Sequence, residues 1–217
     1  MSIVFLSFYI LHSALNTRQV FVLQVRDGDA IILASESVRR VDILRTLGIP
    51  FSIIPPDIDE SKRQDEPPRE YVLRISYDKA HKVGNHFPDK WVIGADTIVV
   101  YKNKTLGKPK NEKDAFTMLK TLNGKWHKVI TGFCVLNVSQ QVAYRDAVET
   151  RVFMKNMLDH EILRYIGTAE PLDKAGSYAV QGRAGYMVKE IKGSYTNIVG
   201  LPICEVAEVL LSLGVLS

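Results

Sequence analysis

An acidic side chain interrupts the most apolar segment of the sequence. Residues 91–101 read WVIGADTIVVY, with Asp96 in the middle of the run and Thr97 directly after it. A carboxylate inside a buried strand is costly unless it is paired, hydrogen-bonded or bound to a metal. Gly94 leaves room for another group to approach the strand closely. The segment predicts a buried strand that carries a functional carboxylate. A core aspartate bonded to backbone, or one at an exposed strand end, is the structural alternative.

A second candidate site follows the short apolar run Ala30–Leu33, where residues 35–40 read SESVRR. The pattern predicts a turn from a strand into a helix, with Ser37 as the N-cap. The positive end of a helix dipole favours an anion, and Arg39 and Arg40 add bidentate donors that suit phosphate. The GxxxxGK[ST] spacing of a P-loop is missing from the sequence. An ordinary surface helix with solvated arginines is the alternative.

Four further segments add charged or amide side chains. Lys79 lies on the apolar stripe of a predicted helix at 68–83, where a lysine either reaches into a cleft or extends to water. Lys108 stands in a stiff Gly-Lys-Pro turn. Glu60 lies in an acidic loop, whose carboxylates either suit a hard divalent cation or are simply solvated. Gln181 follows a run of small residues, where its amide either reads the edge of a base or belongs to a packing turn.

These candidates depend on a series of strands and helices that must position them. Apolar runs predict strands at 30–33, 51–54, 91–101, 129–138 and 142–153, and helical spacing predicts helices between 37 and 48, 68 and 83, 111 and 124, 158 and 166, and 203 and 213. The Gly- and Tyr-rich stretch 175–200 predicts one or two more strands. Because strands and helices alternate without strict βαβ regularity, we expect an α/β fold with a mixed sheet.

Composition limits the class of protein. The chain has 217 residues, of which 46% are apolar, enough for one sizeable core or two lobes around a cleft. The net charge of +4 suits anionic small molecules, but without clustered basic and aromatic residues it gives little support for binding to nucleic acid. Cys134 and Cys204 have no CxxC spacing, so they indicate neither a disulfide framework nor a metal knuckle and predict reduced cytoplasmic thiols.

The N-terminal segment Met1–Leu15 is apolar. It is shorter than the roughly 18 to 20 residues that span a bilayer, and it lacks the basic residues that begin a signal peptide. We predict that residues 1–29 form a non-catalytic extension, with a cleaved targeting segment as the alternative. Residues 30–217 are predicted to form a single domain without a membrane-spanning segment.

The order of these motifs resembles the Maf family of nucleotide pyrophosphatases. The matching motifs are LAS-x-S-x-RR at 33–40, DE at 59–60, KA at 79–80, GADT at 94–97, GKP at 107–109, DKAG at 173–176, QG at 181–182 and VGLP at 199–202. The resemblance covers about residues 31–213. It implies the fold of the inosine triphosphate pyrophosphatase superfamily, a long twisted mixed sheet with two lobes around a deep cleft.

The resemblance also implies an activity and a set of site residues. The activity is hydrolysis of a nucleoside triphosphate to the monophosphate and pyrophosphate, with Mg²⁺ or Mn²⁺ as cofactor. Asp96 matches the catalytic general base, and Lys79 and Lys108 match lysines that act on the phosphates. The other matching positions are Ser35 and Arg40 for phosphate, Arg39, Thr97 and Gln181 for base specificity, and Glu60 for the metal, which Asp96 shares.

Arg39, Thr97 and Gln181 are similar to the branch of the family that prefers dTTP and UTP, whereas the 7-methyl-GTP branch tends to carry Trp, Gln and Glu at these positions. Val38 departs from the pattern, because the family usually has the proline that pre-sets the first helical turn. We therefore expect a cytoplasmic enzyme whose partner is a nucleoside triphosphate, not nucleic acid or a membrane. Relatives often form dimers, which leaves a homodimer open. The alternatives are a non-catalytic nucleotide-binding regulator of cell division and, with less support, a nucleic-acid binder.

Overall fold

The structure is a computed structural model that describes residues 23–217, so the predictions for Met1–Leu15 lie outside the described residues. The strands are β1 (Ile31–Ala34), β2 (Ser52–Ile53), β3 (Trp91–Tyr101), β4 (Lys104–Leu106), β5 (Trp126–Asn137), β6 (Val142–Met154) and β7 (Val188–Lys192). The α-helices are α1 (Val38–Arg45), α2 (Pro68–Gly84), α3 (Glu112–Leu122), α4 (Asp159–Ile166), α5 (Tyr195–Val199) and α6 (Ile203–Ser212).

The strands form one mixed sheet in the order β2-β1-β3-β5-β6-β7, with β4 also paired to β3. β1 pairs in parallel with β2 and β3, whereas β3, β5, β6 and β7 pair antiparallel. All four residues of β1 are buried, as expected for a parallel strand that is covered on both faces. The predicted α/β class and mixed sheet are confirmed.

One edge of β3 has a gap in its pairing. β1 pairs with β3 up to Gly94, and β4 pairs with it only from Val99 onward. Residues 95–98 have no strand partner on that edge among the described residues, although the opposite edge of β3 pairs with β5 from Val92 to Val100. The gap leaves Asp96 at an open edge in the middle of the sheet.

The two faces of the sheet carry different layers, because successive side chains of a strand point to opposite faces. α2 covers one face, where Val92, Ile98 and Val100 of β3 join the apolar clusters. The other face carries two clusters. One gathers α1 and α6 around Ile93; the other gathers α3, α4 and the short 3₁₀ turns of residues 170–187 around Val99. These two clusters form the two predicted lobes.

Two glycines let α2 lie directly on the backbone of the sheet. A Cβ atom at Gly94 would stand 2.2 Å from the carbonyl oxygen of Ser76, and one at Gly132 would stand 2.4 Å from that of Val72. At such distances a side chain at either position would require the helix to move away. The expectation that Gly94 permits a close approach is confirmed, and the approaching element is the helix that carries Lys79.

Besides shifts of up to three residues at strand ends, the structure differs from the predicted elements in three places. β4 was not predicted, because three residues are too few to show a period; it follows a two-residue turn at Lys102 and Asn103, both with positive φ, the geometry of a tight hairpin. α1 ends at Arg45, before the turn at Gly48. The stretch 175–200 holds one strand and α5, because the Ser194 side chain caps a helix by accepting from the N–H of Asn197.

Residues 23–29 run beside the C-terminus. The N–H of Arg26 donates to the carbonyl oxygen of Val215 at 2.9 Å, and the Asp29 carboxylate accepts from the Trp91 indole at 3.1 Å. The boundary at residue 29 stays a prediction. Within residues 23–217, none of the helices has the length and apolar character needed to cross a bilayer.

Candidate active site

A cleft with a volume of about 840 Å³ opens at the gap in β3. Its lining includes every residue that the sequence predicted for the site: Ser35, Arg39, Arg40, Glu60, Lys79, Asp96, Thr97, Lys108 and Gln181. They come from the turn after β1, the start of α1, the loop before α2, α2 itself, β3, the turn after β4 and the loop before β7. The fold therefore brings together segments that are far apart in the chain.

Lys79 bridges two carboxylates at the floor of the cleft. Its Nζ lies 2.8 Å from Asp96 Oδ1 and 2.8 Å from Glu60 Oε1. The side chains of Lys79 and Asp96 are 7% and 9% exposed, whereas that of Glu60 is 53% exposed. Charges attract more strongly away from water, and an unpaired buried charge is costly. The Lys79–Asp96 ion pair is therefore the stronger of the two contacts. The contact with Glu60 is open to solvent.

The same helix contributes Tyr71, which the sequence reasoning missed. Its hydroxyl donates to the carbonyl oxygen of Glu60 at 2.9 Å and so holds the acidic loop against α2. Burial, together with the negative charges of Asp96 and Glu60, raises the pKa of Tyr71, so it remains a donor. The signal was present in the spacing: Tyr71, Ile75 and Lys79 are four residues apart and lie on one helix face.

Arg40 ties three segments of the cleft together. Its Nε donates to the carbonyl oxygen of Gly200 at 2.7 Å, Nη1 to Ser35 Oγ at 3.3 Å and Nη2 to Thr97 Oγ1 at 3.2 Å. Burial lowers the pKa of Arg40 and the charge of Asp96 raises it, and a guanidinium stays protonated in proteins. Three of its five N–H groups are used, so two remain for a ligand.

The N-terminus of α1 is capped differently from the prediction. Ser37 is the N-cap residue, but its side chain makes no capping hydrogen bond; Ser35 Oγ instead accepts from the N–H of Ser37 at 3.1 Å. The first N–H groups of a helix have no acceptor within it. Here, among the described residues, the unpaired ones belong to Val38, Arg39 and Arg40, which line the cleft.

Three predicted residues have no partner among the described residues. Arg39, Lys108 and Gln181 line the cleft and make no side-chain hydrogen bond or ion pair within residues 23–217, so all three are available to a ligand. Lys174 also lines the cleft and pairs with Asp173. The sequence reasoning used this Asp-Lys pair as a motif without assigning it to the site.

The carboxylates suit a cation that is bound together with a ligand. No group of three or more His, Cys, Asp or Glu within residues 23–217 is arranged to hold a metal ion. Asp96 and Glu60 supply two carboxylates that already share one cation, Lys79. Mg²⁺ is commonly held by one or two carboxylates plus the phosphates of a substrate, and this donor set fits that arrangement.

Comparison with known proteins identifies the family of the chain. The family model described as Maf-like protein matches residues 30–213. A dTTP/UTP pyrophosphatase from Geotalea uraniireducens is 47% identical over 184 residues, which cover 85% of this chain and 95% of that protein. One from Alkaliphilus metalliredigens is 50% identical over 183 residues, 84% of this chain and 95% of that protein. Among solved structures, the Ham1 protein of Staphylococcus aureus aligns with a TM-score of 0.44 and 12% identity, over 85% of this chain and 99% of that one. The chain belongs to the Maf-like protein family.

Proposed function

We propose that the chain hydrolyses dTTP and UTP between the α and β phosphates, giving the nucleoside monophosphate and pyrophosphate. The observation that carries this proposal is the buried Lys79–Asp96 pair at the open edge of β3, inside a cleft that also holds the uncommitted cations Arg39 and Lys108. Relatives named dTTP/UTP pyrophosphatase, 47% and 50% identical to this chain, support the same reaction. Residues 30–217 are the proposed catalytic domain.

The donors of the cleft suit a triphosphate. Ser35, the two free N–H groups of Arg40 and the ammonium of Lys108 are the proposed phosphate ligands, joined by the N–H groups at the start of α1. Fixed positive groups of this kind also stabilise the charge that develops during phosphoryl transfer. Arg39, Thr97 and Gln181 remain for the base.

Asp96 is the proposed general base. Its Oδ1 accepts from Lys79, and its Oδ2 accepts no hydrogen bond from any described residue, so it is free to take a proton from a water that attacks the α phosphorus. Lys79 holds the carboxylate in place and brings a positive charge to the reacting phosphate. The pair therefore combines a base with a charge stabiliser.

Asp96 and Glu60 are also the proposed ligands of a divalent cation, Mg²⁺ or Mn²⁺. When bound, such a cation polarises phosphoryl oxygens and lowers the pKa of a bound water. Lys79 contacts both carboxylates in this structure. A cation held by the same two groups would compete with Lys79 for them, so we expect its binding to depend on the negative charge of the nucleotide.

A pyrophosphate-release assay tests the proposal. Purified protein with Mg²⁺ or Mn²⁺ is given UTP, dTTP, CTP, GTP, ATP, ITP and 7-methyl-GTP, beside the variant Asp96→Asn. We expect release from UTP and dTTP, and a loss of about 10²–10⁴-fold in kcat in the variant, since that is the usual contribution of a general base. Nucleotide binding by the variant should persist.

Asp42→Asn is the matched control. Asp42 pairs with Arg45 on the surface of α1, and both side chains are more than half exposed, so the same chemical change there should leave kcat unaltered. Near-parental turnover by a folded Asp96→Asn protein would remove Asp96 from the mechanism. No release from any nucleotide by the folded parent would refute the proposed activity.

A further inference from the structure

The cleft has two chemically different sides, because Asp96 and Thr97 are adjacent on β3 and point to opposite faces of the sheet. The α2 face carries Lys79, Asp96 and Glu60. The opposite face carries the apolar lining residues Val99, Val129, Val180, Ile198 and Val199, with Thr97 among them. A flat base with a polar edge suits this apolar wall, which Arg40, a proposed phosphate ligand, joins at Thr97. Thr97 contributes a hydroxyl group to this apolar side of the cleft.

A chain of hydrogen bonds fixes the direction in which the Thr97 proton points. Thr131 Oγ1 lies 2.8 Å from the carbonyl oxygen of Asn197, which can only accept, so the Thr131 proton lies in that contact. Thr97 Oγ1 lies 3.0 Å from Thr131 Oγ1. Since Thr131 has no second proton, Thr97 donates to it.

The remaining hydrogen-bonding capacity of Thr97 Oγ1 follows from these assignments. Arg40 Nη2 donates to one lone pair of Thr97 Oγ1 at 3.2 Å. With its proton committed to Thr131, the hydroxyl retains one lone pair and nothing to donate. Thr97 is therefore an acceptor toward any ligand in the cleft.

We propose that Thr131 is a positioning residue for base selection: by fixing Thr97 as an acceptor, it selects a pyrimidine whose ring nitrogen N3 carries a proton. Uracil and thymine present N3–H, whereas N3 of cytosine is an acceptor that would meet the Thr97 lone pair. This inference rests on the proposed function, because it assumes that a pyrimidine nucleotide occupies the cleft. It assigns the choice between uridine and cytidine to a residue that no ligand touches.

The residues next to Thr131 keep this series of hydrogen bonds in place. Thr131, Thr150 and Asn197 are fully buried. The Asn197 amide donates to Thr150 Oγ1 at 2.9 Å and to the carbonyl oxygen of Val129 at 3.2 Å. These two side-chain bonds hold Asn197, and with it the backbone carbonyl group, in place against β5, although Asn197 Oδ1 has no partner among the described residues. If Thr131 turned its proton toward Thr97, it would lose its hydrogen bond to the backbone carbonyl oxygen of Asn197, which would keep only the N–H of Gly200 at 3.1 Å.

Equilibrium binding separates this inference from the proposed function. The probes are uridine and cytidine triphosphates with an imido bridge between the α and β phosphorus atoms, which bind without being hydrolysed, measured by calorimetry with Mg²⁺. We expect the parent to prefer the uridine probe. Thr131→Val should reduce that preference by about tenfold, the scale of one hydrogen bond, because the released Thr97 proton can then donate to cytosine. Thr131→Ser keeps a hydroxyl and should keep the preference.

Each result of these binding measurements either supports or overturns the positioning role of Thr131. Equal weakening of both probes in Thr131→Val, or the same preference in all three proteins, overturns the positioning role. A probe made from 3-methyluridine tests the contact on the unaltered chain, should the valine variant fail to fold: affinity equal to that of uridine overturns the proposal, and a loss supports it. A parent that prefers the uridine probe but releases no pyrophosphate from UTP refutes the proposed activity and leaves base selection standing.

Discussion

Gly94→Ala tests whether the close contact between α2 and β3 sets the position of Lys79. The added Cβ would lie 2.2 Å from the carbonyl oxygen of Ser76 and 2.8 Å from the backbone nitrogen of Ala80. Both neighbours are backbone atoms, and they flank Lys79 in the sequence. Neither can move out of the way by a change of side-chain rotamer, so the helix itself has to withdraw.

The size of the effect follows from the distances. Real Cβ atoms essentially never approach another heavy atom within 3.0 Å, so α2 must retreat by about 0.8 Å, and a displacement near 1 Å costs about 10²-fold in rate when it moves a catalytic group. Overpacking of this kind costs about 1–3 kcal/mol of stability. For a domain of this length, that corresponds to a fall in Tm of roughly 2–12 °C.

Thermal unfolding and kcat for UTP measure the two effects, and Gly167→Ala is the matched control. At Gly167 the nearest atoms to a new Cβ are 3.6 Å away, and φ and ψ of −61° and −9° suit any residue. The control should be neutral or more stable by about 0.4–1 kcal/mol. A Gly94→Ala protein with the Tm and kcat of the parent would show that α2 does not need this contact to place Lys79.

Three other perturbations address separate parts of the molecule. Gln181→Glu should change the ratio of kcat/KM for UTP and GTP more than the overall rate if Gln181 reads the base edge; equal losses on both would contradict that role. Lys79→Met should let Glu60 and Asp96 bind Mn²⁺ without nucleotide at least about tenfold more tightly than the parent, because a competing positive charge is removed; unchanged Mn²⁺ affinity by calorimetry would contradict the competition. Burial lowers the pKa of His127 from 6.5 to about 4. Between these pH values the unfolded chain binds a proton at His127 and the folded chain does not. Lowering the pH from 6.5 to 4 therefore reduces the free energy of unfolding by roughly 3 kcal/mol. Urea titrations at pH 7 and pH 4 should show a smaller loss of stability in His127→Phe than in the parent. An identical pH dependence in the two proteins would refute the contribution of His127.

The sequence predicted the residues that break local patterns. Asp96 stands out because it interrupts an apolar strand, and Lys79 stands out because it lies on the apolar face of a helix. Each is costly where it is unless something pairs with it, and the structure pairs them at 2.8 Å. Departures from local consistency are where function is expected to lie, and these two positions follow that rule.

The residues that the sequence did not reveal depend on long-range register. Thr131 lies in an ordinary strand, and its role arises only because β5 places it directly opposite Thr97. Arg40 was predicted from its place at the start of α1, yet its shortest hydrogen bond goes to Gly200, 160 residues away. Neither partner leaves a periodic signal, because each contact is made across elements that meet only in the folded chain.

The gap in β3 makes strand length a determinant of the site. β1 ends at Ala34, paired with Gly94, and β4 reaches only to Leu106, paired with Val99. Had either strand continued, its backbone would have covered the edge beside Asp96 and Thr97. Because neighbouring side chains on a strand point to opposite faces, a short open edge exposes both residues to one cleft, one toward α2 and the other toward the apolar wall. The placement of Asp96 and Thr97 on opposite sides of one cleft is therefore a consequence of strand pleating, and it requires only that β1 turn away at Ser35 and that β4 remain short.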